Sequence, residues 1–159
     1  MIKNNIMETL ETNAHQMPTQ KDFSFTFKSS KSPEEIFNLL LHVRQWWTGF
    51  YEETITGKSE KPGDEFEFLA GGGAHFSKHK LVTLEPYKTI VWQIIDSKLS
   101  FITKMDEWIG TRIQFDIKKN DNNTQVTFTH KGLTPQFECY NNCESAWTQY
   151  MKQLEAKLK

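Results

Sequence analysis

The chain has 159 residues, with 19 Lys and Arg against 20 Asp and Glu, giving a net charge of −1. That balance excludes nucleic-acid or anionic-membrane binding driven by bulk electrostatics. Only 37% of residues are hydrophobic, yet 12 Phe, 5 Trp and 4 Tyr are present. This profile excludes disordered, collagen-like and low-complexity classes and fits one domain of ordinary size.

Residues 1–21 hold no aromatic side chain and little periodicity. They are expected to form a flexible N-terminal arm, with a weak helix near Ile6 to Leu10, ahead of a domain over 22–159. Lys3 is followed by no apolar core, so a secretory signal is not expected, and no run of about 18 apolar residues predicts a membrane span. In Phe23 to Lys28, Phe23, Phe25 and Phe27 alternate with polar residues, which predicts a strand with one buried face. Ser32-Pro33-Glu34-Glu35 then reads as a helix start, with Ser at the N-cap, Pro at N1 and Glu at N3 of a capping box. That helix carries Ile36, Phe37, Leu40 and Leu41, and a second short helix is expected over Val43 to Trp47.

Strand signals follow. Tyr51 to Gly57 is a weak one, and Phe66 and Phe68 alternate with Glu65 and Glu67 after the Pro62-Gly63-Asp64 turn. Gly71 to Gly73 lacks the Lys and Ser/Thr of a phosphate loop and is expected to be a mobile hairpin loop or lid. It leads into a strand from His75 to Leu84, on which Lys78-His79-Lys80 reads as a solvated face. Ile90 to Asp96 makes the next strand, and Ser97 to Glu107 a connection. Ile109, Ile113, Phe115 and Ile117 are expected to share one face, and in the last strand Val126, Phe128 and His130 share another. A long helix capped by Thr134, with Pro135 at N1, carries Phe137, Tyr140, Cys143, Trp147, Tyr150, Met151, Leu154 and Leu158 at three- and four-residue steps. The order predicts an α+β fold: an antiparallel sheet of about six to seven strands wrapped around a long C-terminal helix, with two short helices after strand 1.

This arrangement resembles the helix-grip fold of the START and Bet v 1-like (SRPBCC) superfamily, and within it the branch named after the heat-shock-protein-90 ATPase activator. The likeness is carried by Trp46-Trp47, Pro62-Gly63-Asp64 with Phe66, and Glu85-Pro86-Tyr87 with Ile90-Val91-Trp92. It continues through Glu107-Trp108 with Gly110-Thr111, Phe128 to Leu133, and Glu138-Cys139 with Cys143 and Trp147. The activator that gives the branch its name has a separate chaperone-binding domain for which this chain has no room, so its activity is not carried over.

The resemblance implies a cavity between sheet and helix. The inward positions expected to line it as a ligand-binding site are Trp47, Phe66, Phe68, Trp92, Phe115, Phe128, His130, Cys143, Trp147 and Met151; the same side chains would otherwise fill a solid core. Phe115 and Phe128 lean towards core, Trp47 and His130 towards the rim. His130 is either a structural imidazole bonded near Gly132 or Thr134, or a group that orients a ligand or moves a proton. Cys139 and Cys143, four apart, stack one helical turn apart, where a bridge constrains nothing, and a reduced, cytoplasmic chain is expected. Neither they nor His75 and His79 have the spacing of a metal site, and no carboxylate pair or Cys–His pair stands out. No catalytic residue, metal or cofactor is therefore expected. The reading is a monomer or homodimer that binds a small apolar or aromatic molecule without catalysis. The alternatives are a cyclase- or dehydratase-like enzyme using His130 as acid/base, and a stress or chaperone-accessory interaction module.

Overall fold

A computed structural model describes residues 21–159, so the expected arm over 1–21 lies almost wholly outside the described residues. The elements follow in the order β1 (Phe23–Ser29), α1 (Pro33–Leu41), a 3-10 turn (Val43–Gln45), β2 (Thr54–Gly57), β3 (Glu65–Ala70), a second 3-10 turn (Gly71–Gly73), β4 (His75–Glu85), β5 (Thr89–Leu99), β6 (Arg112–Lys119), β7 (Thr124–Lys131) and α2 (Tyr140–Lys157). The strands form one antiparallel sheet in the order β1-β7-β6-β5-β4-β3-β2. This is the helix-grip architecture, with a short helix after β1.

Local chemistry explains most boundaries. The capping box forms as written: Glu35 N–H donates to Ser32 Oγ, and Glu35 Oε1 accepts from Ser32 N–H. Ile36, Phe37 and Leu40 then face the sheet. The second short helix is only the 3-10 turn Val43–Gln45, and its Val43 and the following Trp46 and Trp47 are buried. Trp46 Nε1–H donates 2.9 Å to Leu40 O, which anchors the turn on α1.

The C-terminal helix differs from expectation at its start. Thr134 and Pro135 lie in an irregular turn, where Phe137 N–H donates to Thr134 O, and α2 begins only at Tyr140. Its first turn is served from a distance. Glu107 accepts from Glu138 N–H at 3.1 Å and from Cys139 N–H at 2.8 Å, while Glu138 accepts from the Thr103 and Lys104 N–H groups. A carboxylate there satisfies donors that no side chain of the helix itself reaches. Cys139 and Cys143 are bonded to each other across this turn, not reduced as expected.

All five Trp are buried, and one continuous core joins the inner face of the sheet to α1 and α2. Cys143, Trp147, Tyr150, Met151 and Leu154 form the buried stripe of α2. Two expectations are corrected. Ile109 precedes β6 and is 46% exposed, because Gly110 turns the chain before the strand begins. His79 is wholly buried: its neighbours Lys78 and Lys80 take the outer face, and alternation turns the imidazole inward against Phe66. Among the described residues no helix is long and apolar enough to cross a membrane.

Candidate functional site

A cavity of about 350 Å³ opens between α2 and the β3–β4 end of the sheet. One wall is aromatic, with its rings nearly parallel. Trp47 stacks on Phe68 with centroids 4.0 Å apart and planes 15° apart, and on Trp147 at 5.0 Å and 28°. Trp108 lies parallel to Trp147 at 6.1 Å and 8°. The four rings thus stack on one another as a continuous layer, and that layer forms an apolar wall of the cavity, against which an aromatic or apolar molecule can pack.

Each wall is placed by a local device. Trp47 follows the 3-10 turn after α1. Trp108 is pressed against α2 by the Glu107 clamp on the helix start, and its Nε1–H donates 3.3 Å to Cys139 Sγ. One rim is the loop Thr48–Glu53. There the Glu53 carboxylate accepts from the N–H groups of Gly49, Phe50 and Tyr51 and from the Tyr150 hydroxyl at 2.6 Å. Burial acts to raise the Glu53 carboxyl, but the Tyr150 hydroxyl and these backbone donors outweigh it and hold it below the usual carboxylate value. Burial, then the bond to Glu53, push the Tyr150 hydroxyl up. The opposite rim is the Gly71–Gly73 turn, whose three residues all have positive φ, with open space where a side chain would stand at Gly72 and Gly73. Gly71 N–H donates to Tyr51 O at 2.9 Å, so the turn expected to be a lid is tied to the other rim.

Of the residues expected on the walls, Trp47, Phe68, Cys143 and Trp147 stand there. Phe66, Trp92, Phe115, Phe128, His130 and Met151 pack behind as core. Sequence reasoning missed Tyr51, His75, Trp108 and Tyr150, which also line the cavity. Trp108 and Tyr150 carried a usable signal: the first lies among the family-like residues, the second on the buried stripe of α2. His75 shares the parity of Ser77 and His79, which the lysine-rich context concealed.

His130 does not reach the rim. Trp147 Nε1–H can only donate, so His130 Nδ1 accepts it, at 3.1 Å. The ring's proton is therefore on Nε2, which donates 2.8 Å to Thr111 Oγ1, and that hydroxyl donates to Trp108 O. Its partners are thus Thr111 and Trp147, not the Gly132 or Thr134 region. Gly132 has φ +98°, and a Cβ there would lie 2.9 Å from Thr111 Cγ2, so glycine lets Thr111 approach. Burial pushes the His130 imidazole down to about 3, and it has no titratable hydrogen-bond partner. The chain of bonds holds His130 as a neutral strut beneath Trp147. Among the described residues no group of three or more His, Cys, Asp or Glu is placed to hold a metal ion.

Comparison with known proteins agrees with this architecture. A solution structure of the Aha1 dimer from Colwellia psychrerythraea is 26% identical, with a TM-score of 0.67, covering 87% of this chain and 96% of that one. A crystal structure of a protein from Chromobacterium violaceum is 18% identical, with a TM-score of 0.63, covering 89% of this chain and 98% of that one. The major latex-like protein 151 of Panax ginseng is 11% identical, with a TM-score of 0.61, covering 87% and 97%, and shares the fold. No curated protein sequence matches the chain. The model of one protein family matches residues 30–159. The chain is thus a single small SRPBCC domain, and it belongs to the family described as Activator of Hsp90 ATPase homolog 1-like protein.

Proposed function

We propose that this protein binds a flat apolar or aromatic molecule in the cavity between sheet and α2, and that it does so without catalysis. The observation that carries the reading is a cavity of about 350 Å³ walled by the stacked rings of Phe68, Trp47, Trp147 and Trp108. A solid core would place rings in that volume; here the rings border it. The non-catalytic part is supported by His130, whose nitrogens are both engaged inside the protein.

Titration with flat two- and three-ring compounds tests this, read by quenching of Trp fluorescence and by thermal shift. Saturable quenching that Trp147→Ala weakens is the expected result. Absence of saturable binding by the parent protein to any apolar class overturns the reading. The similar Colwellia protein is a dimer, and a homodimer of this chain is part of the proposal, measured by sedimentation velocity.

A further inference from the structure

The polar character of the cavity is set by β4. His75, Ser77 and His79 alternate along the inner face of this strand. Ser77 Oγ lies 3.2 Å from His75 Nε2 and 2.8 Å from His79 Nε2. A hydroxyl has one proton to donate, and Ser77 Oγ has no third partner among the described residues. One ring therefore donates to Ser77 and the other accepts from it.

The far nitrogen of His79 decides the direction. His79 is wholly buried, and its Nδ1 is the one fully buried side-chain nitrogen or oxygen without a partner among the described residues. A proton on Nδ1 would leave a donor unmade in an apolar niche between Phe66 and Trp47. A bare Nδ1 leaves only an unused lone pair, the lesser penalty. His75 lines the cavity, and its own Nδ1 has no partner among the described residues.

We infer that His79 donates its Nε2 proton to Ser77, that Ser77 donates to His75 Nε2, and that His75 presents Nδ1–H to the cavity, so that the ligand is a flat aromatic molecule with an uncharged hydrogen-bond acceptor. The inference rests on the cavity being a ligand site. Burial pushes the His75 imidazole down to about 4, so the donor is neutral and supplies no countercharge for a buried carboxylate. A ring nitrogen or a carbonyl meets the requirement.

Two measurements on the full chain test the inference. Long-range proton–nitrogen correlation NMR on protein labelled at histidine reads which imidazole nitrogens carry protons. The expected result is a proton on Nδ1 of His75 and on Nε2 of His79; the opposite tautomers overturn the relay. Binding of the near-isosteric pair quinoline (acceptor) and naphthalene (none) is then compared, with indole as a donor-only probe. Quinoline is expected to bind about three- to tenfold more tightly than naphthalene, the range of one neutral hydrogen bond. His75→Phe is expected to reduce that ratio towards one. Equal binding of the pair by the parent protein, or a preference for indole, overturns the inference alone. Failure of all three probes to bind overturns the cavity reading and the ligand class together, while the NMR still decides the relay.

Discussion

Lowering the pH from about 8 to about 5 sets the folded state against three buried imidazoles. Burial holds His75 down to about 4 and His130 to about 3, and it keeps His79 well below 6.5 with help from the other two. In the unfolded chain each titrates near 6.5. The folded values are the lower ones, so unfolding takes up protons. Stability is therefore fully present above about 6.5 and is lost as pH falls from there towards the folded values. At about pH 5, some 1.5 units below the unfolded value, each imidazole costs about 2 kcal/mol, or about 6 kcal/mol for the three. That is comparable with the whole stability of an ordinary domain, about 5–15 kcal/mol. Urea unfolding at intervals across this range gives the loss directly. The window is chosen to exclude Glu53 and Glu138, whose lowered carboxyls contribute stability that is lost only as pH falls below their usual range. His79→Phe is expected to reduce the pH-dependent loss by about a third, whatever it does to stability at neutral pH. A total loss below about 2 kcal/mol would refute the claim that three rings stay neutral in the folded state.

Three further substitutions probe the devices that shape the cavity. Trp147→Phe removes the one donor to His130 Nδ1 and is expected to cost about 1–3 kcal/mol in urea unfolding, since a buried acceptor is left unpaired. Glu107→Ala strips the acceptor from the start of α2; a loss of about 0.5–2 kcal/mol is expected, and amide exchange at Glu138 and Cys139 should rise with it. Tyr150→Phe removes one of the three donors to Glu53 Oε2, with an expected cost of about 1 kcal/mol and faster amide exchange at Gly49, Phe50 and Tyr51. Unchanged exchange at those three amides would show that Tyr150 does not hold the rim.

The fold was legible because its signals are local. Ser32-Pro33-Glu34-Glu35 caps a helix by rules that need no tertiary context, and Phe23 to Phe27, Phe66 to Phe68 and Val126 to His130 alternate as half-buried strands do. The start of α2 was misread because Thr134-Pro135 is a good local start, whereas the acceptor that matters, Glu107, lies 31 residues from Glu138 in sequence. The cavity was half legible for the same reason. Parity separates inward from outward side chains, but it cannot separate a ring that borders empty space from one that fills it; Phe66 and Phe68 share a face, and only Phe68 lines the cavity. His79 was lost between two lysines, although alternation alone was enough to turn it inward.

The place of β1 at the sheet edge bears on how the chain acquires its shape. Its partner is β7, so Thr26 meets Thr127, 101 residues further along. Closing so long a loop costs entropy before its contacts form, whereas the hairpins β3–β4, β4–β5 and β6–β7 join near neighbours. The meander is therefore expected to form first, with β1 docking on a sheet already built. Conservative substitutions in β1, such as Phe27→Leu, should then speed unfolding and leave the refolding rate nearly unchanged in stopped-flow experiments.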